Sequence, residues 1–312
     1  MAGRSQPAPQ LPPGTQVVLR EAMLDSDGVR VQRGATGRVT AAHDGEYRVA
    51  LSDGRQVSSR RGALTLRRAH QQQLAIGPTA DGGHDLVARH TIYAAVIGSR
   101  AYGLSHEGSD TDVRGVYAAP TATFWSLTKP PPHVDGPGPD QFSWEVERFC
   151  ELALKANPNL LELLHSPVVL TITPLGEELL ALRSAFMSQL VYQTYSGYVL
   201  SQFKKLETDL RRHGQPKWKH AMHLLRLLLA AGGLLRHGRL TVDVGGHRDR
   251  LLAVRRGEVS WAEVETWRLA LHAELDAALE ATPLPAVPDV ARVDAWLRSV
   301  RARSARVALT AP

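Results

Sequence analysis

The side chains best suited to chemistry lie in residues 97–120, IGSRAYGLSHEGSDTDVRGVYAAP. Gly98 and Ser99 stand near its beginning, and Asp110 and Asp112 follow. Carboxylates two residues apart on a strand point to one face, about 7 Å apart along it. Mg²⁺ binds proteins through one or two carboxylates together with substrate phosphates and water. The spacing therefore predicts a platform for a divalent metal.

Gly98 and Ser99 favour a phosphate site beside that platform. Glycine lets another group approach the backbone closely, and Ser99 at a helix start would offer its hydroxyl beside free backbone N–H groups. Helix N-termini of this kind bind phosphate. Taken singly, Asp-x-Asp is typical of a polar turn and Gly-Ser of a helix cap. Together they match what metal-assisted nucleotidyl transfer requires.

Two other motifs do not fit these residues. An EF-hand loop beginning at Asp110 would place Arg114 at position five and Thr121 at position twelve, where a bidentate glutamate belongs. The sequence also contains no Gly-x-x-x-x-Gly-Lys-Ser/Thr loop. Calcium binding by an EF-hand and phosphate binding by a Walker loop are therefore not expected.

The elements that must position the motif are a strand (TIYAAVIG), a short helix or turn (SRAYGLSHEG) and a second strand (TDVRGVYAA). Short alternating segments broken by turn signals precede them and resemble a small SH3-like or KOW-like β-barrel. The predicted organisation is a disordered arm (1–12), the β-barrel (13–68), a linker (69–85), an α/β core (86–165) and a helical C-terminal domain (166–312).

Composition adds expectations about partners and compartment. The net charge of +6 suits an acidic partner such as nucleic acid, although soluble enzymes share it. Five arginines would give the barrel a rim that holds RNA phosphates or is simply solvated: Arg55, Arg60, Arg61, Arg67 and Arg68. Cys150 is the only cysteine, which excludes an intrachain disulfide and a thiolate zinc cluster. With no signal peptide or membrane span in the sequence, we expect a cytoplasmic protein with no membrane partner.

GSRAYGLSHEGSDTDVRGVY resembles the active-site signature of the DNA polymerase β nucleotidyltransferase superfamily, a Gly-Ser helix start followed by Asp-x-Asp on a strand. Its Ser-Asp-x-Asp-x-Arg-Gly-Val-Tyr form is similar to the branch called the RNA repair pathway DNA polymerase β family, or RNA-ligase-associated nucleotidyltransferases. FCELALKANPNLLELLHSP and KWKHAMHLLRLLLAAGGLLRHGRL resemble two further motifs of that branch. The likeness spans about residues 89–290 and leaves the N-terminal barrel outside.

The resemblance implies that Gly98 and Ser99 hold the phosphates of an NTP and that Asp110 and Asp112 bind Mg²⁺, with Mn²⁺ as its substitute. The superfamily usually adds a third carboxylate, which accepts the proton of the attacking hydroxyl or shares the metal. Asp140 is preferred here because it opens the β-like segment DQFSW, and Glu145 is the second choice. Each of these acids has the alternative of a surface or helix-end charge.

The helical half supplies further candidates. Lys219, His223 and Arg226 recur at helical spacing, so one face would carry all three. They would either clamp the triphosphate or form a half-buried polar stripe on a leucine-rich helix. Arg114 shares the Asp-x-Asp face and would contact phosphate or form an ion pair with Asp112.

The resulting hypothesis is transfer of an NMP from an NTP to a hydroxyl with release of pyrophosphate. The resemblance implies an RNA end as acceptor and an RNA ligase as functional partner. AMP transfer to a protein or small molecule is the alternative within the same chemistry. A non-catalytic nucleotide- or RNA-binding module is the alternative outside it.

Overall fold

The protein is described by a computed structural model that covers residues 11–12, 14–43, 45–51, 53–66, 80–138, 140–214 and 216–310. The chain divides into two compact units, Met1–Gly77 and Pro78–Pro312. None of the described helices is long and apolar enough to cross a membrane.

The described part of the N-terminal unit contains short strands: β1 (Gln16–Leu19), β2 (Met23–Leu24), β3 (Arg30–Val31), β4 (Thr36–His43), β5 (Glu46–Leu51), β6 (Gln56–Arg60) and β7 (Leu64–Leu66). Five of them form an antiparallel sheet in the order β6-β5-β4-β1-β7, and β2 pairs with β3. Alternate residues of β5, Tyr47, Val49 and Leu51, point into a small core, as the alternating sequence predicts.

The predicted barrel is not confirmed. Within the described residues, β6 and β7 are the two edges of the sheet and do not pair with each other. A 3-10 turn over Arg61–Ala63 separates them, and β7 has three residues. So short a strand offers few hydrogen bonds with which to close a sheet.

The second unit begins with a mixed sheet and its helices: α1 (Ala80–His90), β8 (Thr91–Ile97), β9 (Asp112–Tyr117), β10 (His133–Asp135), β11 (Gln141–Glu145), α2 (Val146–Leu154), α3 (Pro158–Leu164) and β12 (Val169–Ile172). The strand order is β10-β11-β9-β8-β12, with β9 and β11 parallel and the other pairs antiparallel. Strand β8 is buried on both faces, which explains its continuous apolar run.

The remaining helices are α4 (Pro174–Ala181), α5 (Leu190–His213), α6 (Trp218–His237), α7 (Arg248–Arg256), α8 (Trp261–Glu280) and α9 (Val290–Thr310). Helix α1 covers one face of the sheet, where Leu86 and Val87 pack near Tyr117. The other face shares a core with α2, α3, α5 and α6, in which Val116 and Phe149 are buried. Apolar residues on these helices recur every three or four positions, so they bury one stripe against that face.

Two predicted boundaries differ from the structure. Helix α1 begins at Ala80, inside the predicted linker 69–85, while residues 67–79 lie outside the described part of the chain. Residues 1–10 of the predicted arm also lie outside it. The predicted helical domain 166–312 starts with β12, which pairs with β8 as an edge strand of the core sheet. Its apolar, β-branched residues favour a strand over a helix.

Candidate active site

The turn after β8 carries Gly98 and Ser99. Of the two predicted alternatives, a short helix or a turn, it is a tight turn: the Tyr102 N–H donates to the Gly98 carbonyl at 3.0 Å, and the Leu104 N–H to the Ser99 carbonyl at 2.8 Å. Gly103 has a φ of +70°, which ends the turn before a helix can grow. Three successive N–H groups take part in no described hydrogen bond: those of Ser99, Arg100 and Ala101. Free N–H groups for a phosphate are therefore present without a helix.

Gly98 lies directly against the carboxylate of Asp112. Ile97 and Asp112 are paired across β8 and β9, so the turn and the start of β9 meet at one end of the sheet. A Cβ atom at Gly98 would lie 2.7 Å from Oδ2 of Asp112, and the residue has a φ of +77°. Both the space and the backbone conformation therefore require glycine.

The two aspartates reach the site from different local structures. Asp112 is the first residue of β9, whereas Asp110 lies in the loop before it. The predicted shared strand face therefore holds for Asp112 and Arg114 but not for Asp110. Arg114 Nη2 lies 3.5 Å from Asp112 Oδ1. Of the two roles predicted for Arg114, the geometry supports the ion pair with Asp112.

A cavity of about 620 Å³ opens at this end of the sheet. Its volume is within the usual range of small-molecule sites. The turn and the start of β9 form one wall, and α6 forms the opposite wall. Eight predicted residues line the cavity: Gly98, Ser99, Asp110, Asp112, Arg114, Lys219, His223 and Arg226.

The wall formed by α6 differs electrostatically from the prediction. Lys219 is exposed and His223 is half-buried. Burial, together with the smaller effects of the neighbouring Arg226 and His220, lowers the pKa of His223 to about 3. As a member of the predicted stripe, His223 is therefore neutral at pH 7 and can offer a hydrogen bond to phosphate but no charge.

Arg226 lies beneath the cavity and is already paired. Its side chain is 2% exposed, and Nη1 and Nη2 donate to the Glu162 carboxylate at 2.8 and 3.2 Å. Tyr102 donates to the same carboxylate at 2.7 Å, and the Arg226 guanidinium lies 3.7 Å from the centre of the Tyr102 ring. Of the two roles predicted for Arg226, a triphosphate clamp or part of a polar stripe on a leucine-rich helix, its burial and its fixed partner Glu162 favour the second. Its Nε has no hydrogen-bond partner among the described residues.

Helix α7 and the segment before it hold the loop that carries the site. Arg248 Nε donates to the Gly103 carbonyl at 2.8 Å, and Arg255 Nη2 lies 2.7 Å from His106 Nε2. Since arginine can only donate, the proton of His106 is on Nδ1, which donates to the Glu107 carbonyl. Arg255 and His106 both line the cavity and were missed from the sequence. Helix α7 is rich in arginine throughout, so nothing in its sequence marks one arginine as special.

Other cavity residues were also missed: Tyr102, Leu104, Gly108, Ser109, Lys217, His220 and Met222. His220 was noticeable as a neighbour of the α6 stripe, and burial lowers its pKa. Lys217 comes just before α6, and its Nζ lies 2.6 Å from Asp209 Oδ2. Tyr102, Gly108 and Ser109 lie inside the opening motif, but a sequence pattern does not indicate which loop residues face a cavity.

The two candidates for a third carboxylate lie at opposite ends of β11. Asp140 comes just before the strand, and its carbonyl accepts from the Val113 N–H and from Arg114 Nη1 at 2.9 and 2.8 Å. By the parallel register it is adjacent to Asp112, although it is not among the cavity residues. Glu145 pairs with Tyr117 at the other end of the strand. It caps α2 and forms an ion pair with Arg301 at 2.9 Å, so it is a structural group and the second choice is corrected.

The carboxylates suit Mg²⁺ as a pair. Asp110 is exposed, the Asp112 side chain is 37% exposed, and both face the cavity. Two carboxylates leave the remaining positions of Mg²⁺ or Mn²⁺ for water and phosphate oxygens, which is how Mg²⁺ usually binds with nucleotides. Within the described residues, no group of three or more His, Cys, Asp or Glu side chains is arranged to hold a metal.

The basic rim predicted for the N-terminal unit is only partly present. Arg67 and Arg68 lie outside the described residues, and Arg55 forms ion pairs with Asp25 and Asp53 at 3.4 and 2.7 Å. Arg60 and Arg61 line a concavity of about 860 Å³ on this unit, together with Arg48 and His43.

A glycine turn and two aspartates on one wall of a cavity, with cationic side chains on the other, define a nucleotidyltransferase-like protein. The chain belongs to the RNA repair pathway DNA polymerase beta family, which it matches over residues 61–299. The resemblance predicted from the motifs is thereby confirmed. The match includes residues 61–77 of the N-terminal unit and leaves residues 1–60 outside.

Among curated proteins, the chain is 29% identical over 152 residues to the uncharacterized protein YcgL of Bacillus subtilis (strain 168). The alignment covers 47% of this chain and 57% of YcgL, so the chain spans little more than half the length of that relative. No solved structure matches the chain.

Proposed function

We propose that this protein is a metal-dependent nucleotidyltransferase that moves an NMP from an NTP to a hydroxyl group. The observation that carries the proposal is the convergence of the Gly98–Ser99 turn, Asp110 and Asp112 on one cavity, with Lys219 on the opposite wall. The reaction requires groups that bind the phosphates, carboxylates that bind the metal and a positive charge that neutralises the departing pyrophosphate.

The reaction joins the acceptor oxygen to the α-phosphorus of the NTP. The bond between the α-phosphorus and the oxygen that bridges to the β-phosphate breaks, and pyrophosphate leaves with that electron pair. The acceptor proton passes to a carboxylate, for which Asp140 is the candidate, or to water. Mg²⁺ or Mn²⁺ held by Asp110 and Asp112 would lower the pKa of the acceptor hydroxyl and neutralise the developing phosphate charge.

The chain's own groups orient the substrate. The free N–H groups of the turn and the Ser99 hydroxyl bind phosphate oxygens, and Lys219 neutralises charge on the departing pyrophosphate. His223, being neutral, donates a hydrogen bond to the same region. Arg226 acts as a positioning residue, because its bonds to Glu162 hold the Tyr102 ring beneath the cavity.

We further propose an RNA end as the acceptor, with an RNA ligase as a functional partner. The description of the family to which the chain belongs names an RNA repair pathway. The arginines around the N-terminal concavity, Arg48 and Arg60 among them, supply charge that suits an RNA backbone. A nucleotidyltransferase that rebuilds an end produces the hydroxyl-terminated strand that a ligase then joins.

The test is pyrophosphate release from each of the four NTPs with Mg²⁺ or Mn²⁺, with and without RNA. Asp110→Asn and Asp112→Asn keep the shape of the side chain and remove its charge. Asp294→Asn, which affects an exposed pair with Arg298 on α9, is the matched control. Release that persists in both active-site variants would overturn the proposal.

Radiolabelled ATP separates the alternatives. Label on RNA supports the proposed acceptor, and label on a protein or small molecule supports AMP transfer to that acceptor instead. NTP binding without turnover under any metal, in the presence of RNA, would favour a non-catalytic nucleotide-binding module.

A further inference from the structure

Three aromatic rings form a continuous row at the edge of the core sheet: His133 on β10, and Phe142 and Trp144 on β11. The rings of His133 and Phe142 are stacked with centroids 5.3 Å apart and an interplanar angle of 11°. Phe142 and Trp144 are in contact at 4.6 Å. All three residues are half-buried and keep some exposed surface, and Trp144, at the inner end of the row, also packs against the main core.

The row lies on the same sheet face as Asp112 and Arg114. In the parallel register of β9 and β11, Phe142 pairs with Arg114, and paired residues on neighbouring strands point to the same side. Trp144 follows two residues later on that side, and His133 is its partner on β10. Phe142 is therefore one strand, about 5 Å, from Arg114 and about 7 Å further along the sheet than Asp112.

This position fits the strand that ends in the acceptor hydroxyl. In the proposed reaction the NTP occupies the cavity between the turn and α6, and β11 lies next to Arg114, a residue of that cavity. An acceptor strand that brings its terminal hydroxyl to the aspartates along β11 would pass over Phe142. Aromatic rings exposed on a sheet face bind unpaired bases by stacking, largely independently of sequence.

Electrostatics favours bases over phosphates as the contacting groups. Asp135 pairs with Phe142 on β10 and is exposed, so the outer end of the row carries a negative charge. At this end of the row, affinity for RNA would therefore come from stacking of bases on the rings and not from attraction of phosphates. Ring stacking, unlike phosphate binding, depends little on salt.

We propose that the row His133, Phe142 and Trp144 is the platform on which the unpaired terminal bases of the acceptor strand stack, so that the preferred acceptor is a single-stranded RNA end rather than a blunt duplex. The inference rests on the proposed transfer to an RNA end. The ring pairs also stabilise the edge of the sheet, which the test must separate from binding.

The test compares RNA duplexes that carry a single-stranded 3′ overhang, a blunt end, or an overhang with abasic sites. Phe142→Leu and Trp144→Leu remove a ring while keeping an apolar side chain, and Phe142→Tyr restores a ring. Trp125→Leu is the matched control, because Trp125 is 60% exposed and lies outside the row. Fluorescence anisotropy measures RNA binding without turnover, and thermal unfolding monitors stability.

For the overhang RNA, we expect the dissociation constant and the KM to rise about tenfold in each Leu variant, with the NTP dissociation constant unchanged. Phe142→Tyr and Trp125→Leu should bind as the wild type does, and abasic sites should weaken wild-type binding by a similar factor. Equal binding of overhang and blunt RNA, or Leu variants that lose stability without losing RNA affinity, would overturn the platform.

The proposal and the proposed function can fail separately. If transfer requires Asp112 but changes neither in the ring variants nor with abasic RNA, the platform is wrong and the transferase proposal stands. Ring-dependent RNA binding without pyrophosphate release removes the transferase and leaves the platform.

Discussion

Arg114 Nη2 lies 3.5 Å from Asp112 Oδ1, while its Nη1 donates to the carbonyls of Val113 and Asp140. One guanidinium thus ties the first residue of β9 to the segment that leads into β11. Because the Asp112 side chain is 37% exposed, it would otherwise sample several rotamers. Arg114 restricts it and leaves the other carboxylate oxygen available to a metal.

Arg114→Ala should therefore lower kcat by about 100-fold, because the Asp112 carboxylate would move and a displacement of about 1 Å in an active site has an effect of that size. A positioning role predicts that the NTP dissociation constant changes little. Arg114→Lys keeps the charge but not the forked geometry, and we expect partial activity. Single-turnover kinetics measures the rate of transfer, and equilibrium binding measures the NTP dissociation constant. A large loss of NTP affinity would instead indicate a phosphate contact.

Gly98→Ala should abolish transfer without unfolding the protein. The new methyl group would lie 2.7 Å from Asp112 Oδ2, and the residue would have to keep a φ of +77°. We expect a loss of at least about 100-fold in pyrophosphate release. Gly233→Ala on α6 is the control, because a Cβ atom there meets nothing within 4 Å. Normal turnover in Gly98→Ala would show that Asp112 need not stay in its observed position.

Glu162→Gln should destabilise the fold by about 3–5 kcal/mol, because it leaves the Arg226 charge buried without a counter-charge. Urea unfolding measures the free energy. Glu258→Gln is the control: it removes an even shorter but exposed ion pair with Arg256, at 2.5 Å, and the stability of this variant should be nearly that of the wild type. If the two substitutions lowered the free energy of unfolding equally, burial would not be the reason that the Arg226–Glu162 pair matters for stability.

The lowered pKa of His223 predicts that the folded protein loses stability in acid. Its pKa falls from an ordinary 6.5 to about 3 in the folded protein, chiefly through burial. Below pH 6.5 the unfolded chain takes up a proton that the folded chain does not accept until about pH 3. The free energy of unfolding should therefore fall as the pH drops from 6.5 towards 3, by up to about 1.4 kcal/mol per pH unit from this group.

His223→Asn should flatten that dependence in urea titrations carried out between pH 7 and pH 4. His237→Asn, an exposed histidine at the end of the same helix, serves as the comparison and should retain the wild-type slope. An unchanged slope in His223→Asn would mean that its imidazole is charged in the folded protein.

Lys219→Ala should raise the KM for NTP by about tenfold, the effect of losing one hydrogen bond to a charged group. Because the side chain is exposed at the cavity, the defect should grow at low salt, where its charge is least screened. Steady-state kinetics at two ionic strengths test this. Lys155→Ala, at the end of α2 and away from the cavity, should behave as the wild type.

The sequence by itself determined the local parts of the site. Gly98, Ser99, Asp110 and Asp112 lie within fifteen residues, and the strand, turn and strand between residues 91 and 117 follow from apolar runs and glycines. Such features depend on backbone conformation and side-chain alternation over a few residues, which neighbouring residues control. The family resemblance rests on the same short segments.

Tertiary structure alone decided which distant groups meet. The sequence left two roles open for Arg226, a triphosphate clamp or part of a polar stripe, until packing placed it against Glu162, which is 64 residues earlier. Asp140 precedes β11 and Glu145 ends it, but only the sheet register shows that Asp140 lies beside Asp112 while Glu145 lies at the far end of the strand. His106 and Arg255 meet across 149 residues. These pairings arise from burial and sheet register summed over the whole core, so no local pattern encodes them.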